Sequence, residues 1–421
     1  MAIVATFTQS EGPVWNVAWT PEEGADRARG LFQEAFGYGA AVVRGAPGRI
    51  TIVGEHTDYS AGVSLCTVTK QAAYVAGAAR TDDVVRVAWR EQDGTVQRWE
   101  GTLADARPGG QASGAFATGL APMTPGAPRA LSVIWGLRER GYVGDGLDLA
   151  LDTCVPQHAG LAPGISDAAA FALTIEECWG LALASDVGRA ELAAVCIDAQ
   201  HHFSGVPTAG VGQHTVLRCP PDQALLLDFI EPEPKATPQP LYFPEYGLAL
   251  LLIDTGTPNT LTLEQYSNRW HQIEQACDAL GVGNLREVAD APHALRRVES
   301  IEDPVLRSRA RHVVTEIARV RLVTAELSGT APAHERFVSV GKALYRSHAS
   351  LDVDYEVSSP LLNAVVDGAF GAGALGARIV EGGFGGAAFA LVRRATAETT
   401  ARQIQQALLD AGYDPPTFSL V

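Results

Sequence analysis

The sequence predicts an α+β protein, and three observations support that prediction. Apolar, β-branched runs bounded by Gly, Asp and Ser are typical of strands, and they are concentrated in the first third of the chain. Longer segments with apolar residues every three or four positions are typical of helices. The chain has 421 residues, which is more than one hydrophobic core usually supports. We therefore expect two domains.

The predicted strands and helices are interspersed along the chain. The predicted strands are Ile50–Val53, Ala72–Ala78, Val84–Trp89, Leu248–Ile253 and Ala387–Val392. The predicted helices are Ala130–Arg140, Ala168–Leu183, Arg189–His202, Leu263–Leu280, Pro304–Leu327 and Pro360–Phe370. Two stretches rich in Gly and Pro lie between them. Arg107–Pro128 predicts a mobile surface insertion, and Glu231–Pro244 predicts a linker-like segment.

Composition narrows the class of protein. The formal net charge of −16 argues against nucleic-acid binding, because a phosphate backbone requires a basic surface. Six cysteines are scattered without a C-x-x-C pair, which favours a reducing compartment. Met1–Ser10 lacks a basic region followed by a long apolar run, and no segment is long enough to span a bilayer. We expect a cytoplasmic protein that binds neither nucleic acid nor membrane.

One short segment carries most of the polar chemistry. Arg49, Glu55, His56 and Asp58 follow one another closely beside a predicted core strand. Such donors and acceptors suit a polyhydroxylated ligand, whose vicinal hydroxyls both donate and accept hydrogen bonds. A single His with two carboxylates matches zinc poorly, so we predict no metal ligand here. The alternative is a solvated turn in which Thr57 and Asp58 cap backbone groups.

Several motifs resemble those of one enzyme family. The segment from Gly48 to Tyr59 is similar to the galactokinase signature, G-R-x-N-x-I-G-E-H-x-D-Y. Ser347–Pro360 resembles the family's S-H-x-S-L-x-x-D-Y-E-V-S-x-P stretch, and Gly382–Gly386 resembles its glycine-rich third motif. Tyr266 and Arg269 match a Y-x-x-R helix start. The chain is identified as a member of the galactokinase family, within the GHMP kinase superfamily.

The resemblance implies a two-domain GHMP-kinase fold with sugar and nucleotide bound in the cleft between residues 1–210 and 211–421. It implies binding of galactose or a related hexose, and ATP- and Mg-dependent phosphorylation to galactose 1-phosphate. Arg49 would stabilise the transferring phosphoryl group. The sugar-binding residues would be Glu55, His56, Asp58, Tyr59 and Tyr266. The nucleotide-binding residues would be Gly160, Leu161, Gly164, Ser166, Gly383 and Gly385.

The expected phosphate loop departs from the family's P-x-x-x-G-L-S-S-S-A pattern. The matching run from Pro156 ends in Gly160-Leu161-Ala162-Pro163-Gly164-Ile165-Ser166, so the three hydroxyls of the serine triplet are absent. Pro163 removes one backbone donor and fixes φ. We expect a helix to begin near Ser166, with this serine as its N-cap, which would retain some anion affinity.

Two further family positions have lost their carboxylates. Gln200 replaces the magnesium-binding glutamate that the resemblance implies, and a neutral amide is a poor ligand for that cation. Gly212 replaces the aspartate that would orient the anomeric hydroxyl. Loss of a general base alone costs about 10²–10⁴ in rate. Glu381 or Asp167 could supply a carboxylate from another direction, although Glu381 beside phosphates would disfavour ATP.

Three functions remain open at this point. The first is an ATP-dependent galactokinase of weak or no activity, with ATP and Mg expected from the family. The second is a sugar-binding pseudokinase that acts as a regulator or scaffold. The third is a kinase retuned to another sugar or donor, with which Thr51 in place of the signature's asparagine is compatible.

Overall fold

The structure is a computed structural model. It describes residues 12–109, 125–157, 159–205, 207–258, 263–380, 382–383 and 386–421. The strands are β1 (Val14–Trp15), β2 (Val42–Val53), β3 (Val63–Ala79), β4 (Val84–Arg90), β5 (Val96–Thr102), β6 (Leu147–Thr153), β7 (Gln223–Asp228), β8 (Lys235–Pro240), β9 (Leu248–Thr257), β10 (Gly376–Ile379), β11 (Gly386–Arg393) and β12 (Thr417–Leu420).

The helices complete the α+β arrangement that the sequence predicts. They are α1 (Pro21–Phe36), α2 (Ala127–Glu139), α3 (Pro163–Cys178), α4 (Asp186–Ser204), α5 (Val211–Arg218), α6 (Leu263–Leu280), α7 (Leu285–Ala289), α8 (Ala294–Val298), α9 (Pro304–Ser328), α10 (Ala333–Val353), α11 (Pro360–Gly371) and α12 (Ala397–Asp410).

The strands of the described residues form two sheets. The first has the order β5-β4-β6-β3-β7-β8, and β2 pairs with β3 along its length. Its pairs are antiparallel except for β4 with β6. The second sheet has the order β1-β12-β9-β11-β10. The mixed pairing follows from hairpins joined by helical crossovers.

One hydrophobic cluster is shared by both sheets. It contains Ile50 and Ile52 of β2, Leu250 of β9, and the inner faces of α9 and α10. A second cluster lies between the first sheet and α2, α3 and α4, and a third between the second sheet and α11 and α12. Burial of this apolar surface is the main stabilising contribution. The end of β2 therefore lies where the two sheets meet.

The start of α3 differs from the prediction. The helix begins at Pro163 because Ala162 adopts a left-handed conformation, with φ 55°, and proline suits the first helical position. Ser166 is therefore not the N-cap but a residue of the first turn. The helix ends at Cys178 instead of Leu183 because the chain turns at Gly180, with φ 66°.

Three other segments add detail to the predictions. Part of Glu231–Pro244 is not a linker but β8, and a strand at the sheet edge tolerates prolines that a central strand would not. In Arg107–Pro128, residues 110–124 lie outside the described residues, and α2 begins at Ala127. Helix α1 was not predicted, although Thr20 and Glu23 form a capping box at its start.

The division at residue 210 stays a prediction. Beyond that position, β7 and β8 extend the first sheet, and β1 near the start of the chain pairs with β12 in the second. In the described part of the chain, no helix combines the length and apolar character that a bilayer span requires. All six cysteines are free thiols.

Candidate functional site

A tight turn between β2 and β3 presents the signature residues. Gly54 has φ 106°, and a Cβ there would lie 2.6 Å from the Val63 carbonyl oxygen, so the position requires glycine. Thr57 donates to the Val63 carbonyl at 2.8 Å, and Ser64 donates to the Gly54 carbonyl at 2.8 Å. These bonds close the turn and direct residues 55 and 56 toward the second sheet.

Glu55 is buried and faces an arginine from that sheet. Arg378 of β10 has no exposed side-chain surface, and its Nη2 lies 3.2 Å from Oε1 of Glu55. The backbone of Glu55 is also fixed, because Nε2 of His312 donates to its carbonyl at 3.1 Å. Burial lowers the pKa of His312 to about 3, so this ring stays neutral.

His56 belongs to a polar chain that ends at the third motif. Its Nε2 lies 3.1 Å from the Gly382 carbonyl oxygen, which can only accept, so Nε2 carries the proton. Its Nδ1 therefore accepts from the Tyr59 hydroxyl at 3.1 Å. The Tyr59 hydroxyl also bonds to that of Tyr355. Burial lowers the pKa of His56, which keeps this chain uncharged.

Tyr59 closes one side of the turn with an aromatic stack. Its ring lies 4.8 Å from that of Trp270 on α6, with an interplanar angle of 18°. The backbone of Tyr266 lies one turn earlier on the same helix. The side chain of Tyr266 lies outside the described residues, so its role as a sugar ligand stays a prediction.

Asp58 and Arg49 belong to the same electrostatic group as Glu55. Burial, and after it the neighbouring Glu55 carboxylate, raises the pKa of Asp58 to about 6, while Arg49 opposes the shift. Arg49 donates from Nη1 to the Thr51 hydroxyl at 2.9 Å. Asp58 also lines a cavity of about 910 Å³ that follows α4 and residues 229–233. Arg49, Glu55, His56 and Tyr59 do not line this cavity, so its volume is not that of the sugar site.

The loop before α3 packs directly against β2. Leu161 is fully buried, and its carbonyl accepts from the Arg49 N–H at 3.2 Å. A Cβ on Gly48 would lie 3.1 Å from that carbonyl and 2.8 Å from the Thr69 hydroxyl. The Ser166 hydroxyl donates to the Pro47 carbonyl at 2.8 Å. The loop therefore uses its polar groups to join β2.

Position 212 faces Arg49, as the resemblance implies for the missing aspartate. A Cβ on Gly212 would lie 3.4 Å from Nε of Arg49 and 2.4 Å from Cδ1 of Ile165. The end of the isoleucine side chain lies next to position 212 and would have to shift to admit a side chain there. An apolar group here cannot accept a proton or bind a cation.

The residues present do not fit magnesium. The side-chain oxygen of Gln200 accepts from Nε2 of Gln213 at 2.9 Å, and the Ser166 hydroxyl is bonded to backbone. No group of three or more His, Cys, Asp or Glu side chains among the described residues could hold a metal ion. Magnesium requires several hard oxygen ligands. Gln200 and Ser166 are therefore bonded to protein groups and do not supply magnesium ligands in this arrangement.

Arg129 of α2 lies over the start of α3. Its Nη1 donates to the Gly164 carbonyl, and a Cβ on Gly164 would lie 2.2 Å from that nitrogen. Its Nε lies 3.5 Å from Oδ2 of Asp167, whose side chain is 1 % exposed. Burial raises the pKa of Asp167 to about 6. Asp167 therefore faces Arg129 and is shielded from solvent at the helix start.

The third motif is described only in part. Gly383 has φ 84°, and a Cβ there would lie 2.1 Å from the Val357 carbonyl oxygen, so only glycine fits. Gly385 and Glu381 lie outside the described residues, and the predictions for them stay open. Sequence reasoning missed Arg378 and Ile165. Arg378 gave one signal, a lone arginine within an apolar, glycine-rich segment.

Family models match three parts of the chain. The galactokinase galactose-binding signature matches residues 30–79, the GHMP kinase N-terminal domain residues 129–216, and the GHMP kinase C-terminal domain residues 330–411. The first model contains the turn described above, and the second contains the loop before α3 and position 212.

Galactokinases from several organisms match nearly the whole length of the chain. The galactokinase of Streptomyces coelicolor is 33% identical over 389 residues, which cover 91% of this chain and 93% of the relative. The galactokinase of Mycobacterium bovis is 31% identical and covers 89% of this chain and 95% of its own length. The galactokinase of Canis lupus familiaris is 30% identical, with 90% and 91% covered.

Solved structures show the same fold. Lactococcus lactis galactokinase complexed with galactose aligns with a TM-score of 0.77 at 23% identity, and covers 94% of this chain and 97% of its own. Methanococcus jannaschii mevalonate kinase aligns with a TM-score of 0.58 at 13% identity, with 90% and 97% covered. The predicted two-domain GHMP-kinase fold is confirmed. With its signature turn, its matching domains and its full-length relatives, this chain belongs to the galactokinase family of the GHMP kinases.

Proposed function

We propose that this chain binds galactose or a related hexose at the turn between β2 and β3, and phosphorylates it weakly or not at all. The observation that carries the proposal is the contact between positions 212 and 165. Position 212 beside Arg49 has no side chain, and the Ile165 methyl lies 2.4 Å from where a Cβ at that position would be, so the carboxylate that the resemblance implies is absent there. The general activity of the family is phosphorylation of galactose, and this chain would retain its sugar-binding half.

The sugar half of the site supports binding. Glu55 and Asp58 supply carboxylate acceptors, and Arg49 supplies a guanidinium in the same group. Paired donors and acceptors of this kind suit adjacent hydroxyls on a pyranose ring. Within this proposal, Tyr59 and His56 shape the pocket wall through their mutual hydrogen bond.

The nucleotide half supports the loss of turnover. Gln200 is bonded to Gln213, and the hydroxyl of Ser166 is directed at Pro47. Loss of a general base costs about 10²–10⁴ in rate, and losses at one site are not additive. A chain that binds a sugar without turning it over would act as a sugar-responsive regulator or scaffold.

One observation favours a second function, a kinase retuned to another phosphoryl donor. Arg129 brings a guanidinium to the start of α3, where it donates to the Gly164 carbonyl. A fixed guanidinium can neutralise phosphate charge without a metal. Asp167 opposes this function, because its carboxylate faces the same guanidinium.

The test is calorimetric titration of one sample with galactose and then with ATP and magnesium. We expect galactose binding and no nucleotide binding. The variant Asp58→Ala should abolish the galactose signal, while Asp26→Ala, at an exposed ion pair on α1, should preserve it. Tight binding of magnesium–ATP would contradict the proposal, and so would absence of galactose binding.

A turnover assay separates the two functions. Galactose phosphorylation with ATP should be at least about 10² below that of the Streptomyces coelicolor relative assayed in parallel. The same assay with pyrophosphate, polyphosphate and GTP in place of ATP tests the retuned kinase. Turnover with any of these donors that Arg129→Ala removes would favour the second function.

A further inference from the structure

The fully buried side chain of Arg378 lies between two carboxylates. Its Nη2 lies 3.2 Å from Oε1 of Glu55, and its Nη1 lies 3.7 Å from Oε1 of Glu316. The same guanidinium donates from Nε to the Ile379 carbonyl at 3.0 Å and from Nη1 to the Ile52 carbonyl at 3.4 Å. It therefore joins the end of β2, the signature turn, α9 and β10.

Glu316 fixes the other side of this arrangement. It accepts from the Gly54 N–H at 2.9 Å and from the Ser347 hydroxyl at 2.7 Å, and it is paired with Arg319. Burial raises the pKa of Glu316, but Arg319 and the other donors overcome that effect and lower it to about 2. Glu316 thus stays charged and holds the residue that precedes Glu55.

Glu55 and Arg378 differ in the solvent exposure of their side chains. The Glu55 side chain keeps 11% exposure, while that of Arg378 keeps none. A ligand can therefore contact Glu55 but not the arginine behind it. A buried guanidinium with opposed carboxylates on two sides fixes both carboxylates, because moving either one leaves charge uncompensated.

We propose that Arg378 is a positioning residue for sugar binding, which sets the Glu55 carboxylate from behind while Glu316 holds the turn. The inference rests on the proposed function, since it assumes that Glu55 contacts the hexose. Lysine cannot substitute, because a single ammonium lacks the planar fork that reaches Glu55, Glu316 and the carbonyls at once. The sugar affinity of this chain thus depends on a residue outside the described sugar turn.

The test compares two buried arginines. Arg378→Lys should weaken galactose binding at least tenfold in calorimetric titration. Arg336→Lys is the matched control, because Arg336 is also buried and donates to the carbonyls of Ala331 and Glu326, far from the turn. It should lower the unfolding temperature yet leave galactose affinity within twofold. Equal weakening by both variants, or none by Arg378→Lys, would overturn the proposal.

A double variant separates positioning from general loosening. In a Glu55→Gln background, Arg378→Lys should change galactose affinity by less than twofold, because the carboxylate to be positioned is already absent. An undiminished effect there would contradict the proposal.

Crystal structures of the wild type and Arg378→Lys give a readout that needs no sugar. We expect the Glu55 carboxylate to move to another rotamer in the variant. An unmoved carboxylate would overturn the positioning role, whether or not galactose binds. Absence of galactose binding by the wild type, with a displaced Glu55 in the variant, would instead count against the proposed function alone.

Discussion

The two halves of the candidate site are built in opposite ways. Around Glu55, charged groups are buried in opposed pairs, and their partners come from α9 and β10. Around Gly212, an isoleucine side chain lies next to the glycine and the nearby polar groups bond to backbone or to each other. Buried charges are costly unless they are paired. The difference shows that the charged groups around Glu55 are held by partners from distant elements, whereas the surroundings of Gly212 are largely apolar apart from Arg49 and the buried Arg129–Asp167 pair at the start of α3.

The largest expected effect comes from replacing Glu316, the buried carboxylate that pairs with Arg378 and Arg319. Glu316→Leu should lower the free energy of unfolding by about 3–5 kcal/mol, because Arg378 and Arg319 lose a buried counter-charge. Denaturant titration measures the loss. Asp26→Asn at an exposed pair should change stability by less than about 0.5 kcal/mol. Similar losses for both variants would show that the network around Glu316 contributes no more than a surface pair.

A second change tests the glycine loop that His56 contacts. Gly383→Ala should cost at least about 2 kcal/mol, because it combines a positive φ with a Cβ 2.1 Å from the Val357 carbonyl. Gly373→Ala, at φ 78° with nothing within 4 Å of the added Cβ, should cost about 1 kcal/mol. Thermal unfolding measures both. Equal costs would mean that the loop moves to accept the methyl group.

The third change tests the apolar half directly. Gly212→Asp alone should destabilise the fold by about 1–3 kcal/mol, because its Cβ meets Ile165 at 2.4 Å. Adding Ile165→Ala should recover most of that loss by making room. Neither variant should gain galactokinase turnover, since Gln200 still replaces the glutamate that the resemblance implies as a magnesium ligand. Turnover in the double variant would show that the space at position 212 was the sole obstacle.

The smallest expected effect concerns Asp58. The folded state raises its pKa from 3.8 to about 6, so the stability associated with its protonated form is lost as pH rises from about 4 through 6. Asp58→Asn should therefore stabilise the fold by about 1 kcal/mol at pH 8 and by nearly nothing below pH 4. It should also weaken galactose binding. Denaturant titration at pH 4 and pH 8 checks the sign, and a variant less stable at pH 8 would contradict it.

Much of the fold follows from periodicity. The long amphipathic segments, such as Leu263–Leu280 and Pro304–Leu327, became helices with almost unchanged bounds. The predicted start of α3 was wrong, because the helix begins directly after Ala162, which adopts a left-handed conformation. A single residue in that conformation leaves no periodic signal in the sequence. The edge strand β8 was missed because its prolines argue against a strand unless its place at the edge is known.

The site was predictable only where its residues are close in sequence. The turn with Glu55 and Asp58 could be recognised from one segment, and a glycine at position 212, where the resemblance implies an aspartate, from another. The arginine behind Glu55 lies in β10, and the side chain that lies next to Gly212 comes from the first turn of α3. Both contacts depend on tertiary packing, which a local pattern does not encode.

One edge of β3, the central strand of the first sheet, has a gap between its hydrogen-bonding partners, and on the other edge the pairing with β2 shifts register at the same level. Residues 63–67 of β3 pair with β7 and residues 73–79 with β6, while β2 pairs with residues 65–68 and 72–77, so residues 69–71 have no paired strand residue on either side. Amide protons in the middle of a long core strand ordinarily exchange slowest with solvent. In this strand, deuterium uptake should instead be slow at both ends and faster in the middle. Because the Thr69 hydroxyl and the Leu161 carbonyl both lie beside Gly48, a molecule bound at the loop before α3 should slow exchange in this middle segment, which makes it a reporter for binding.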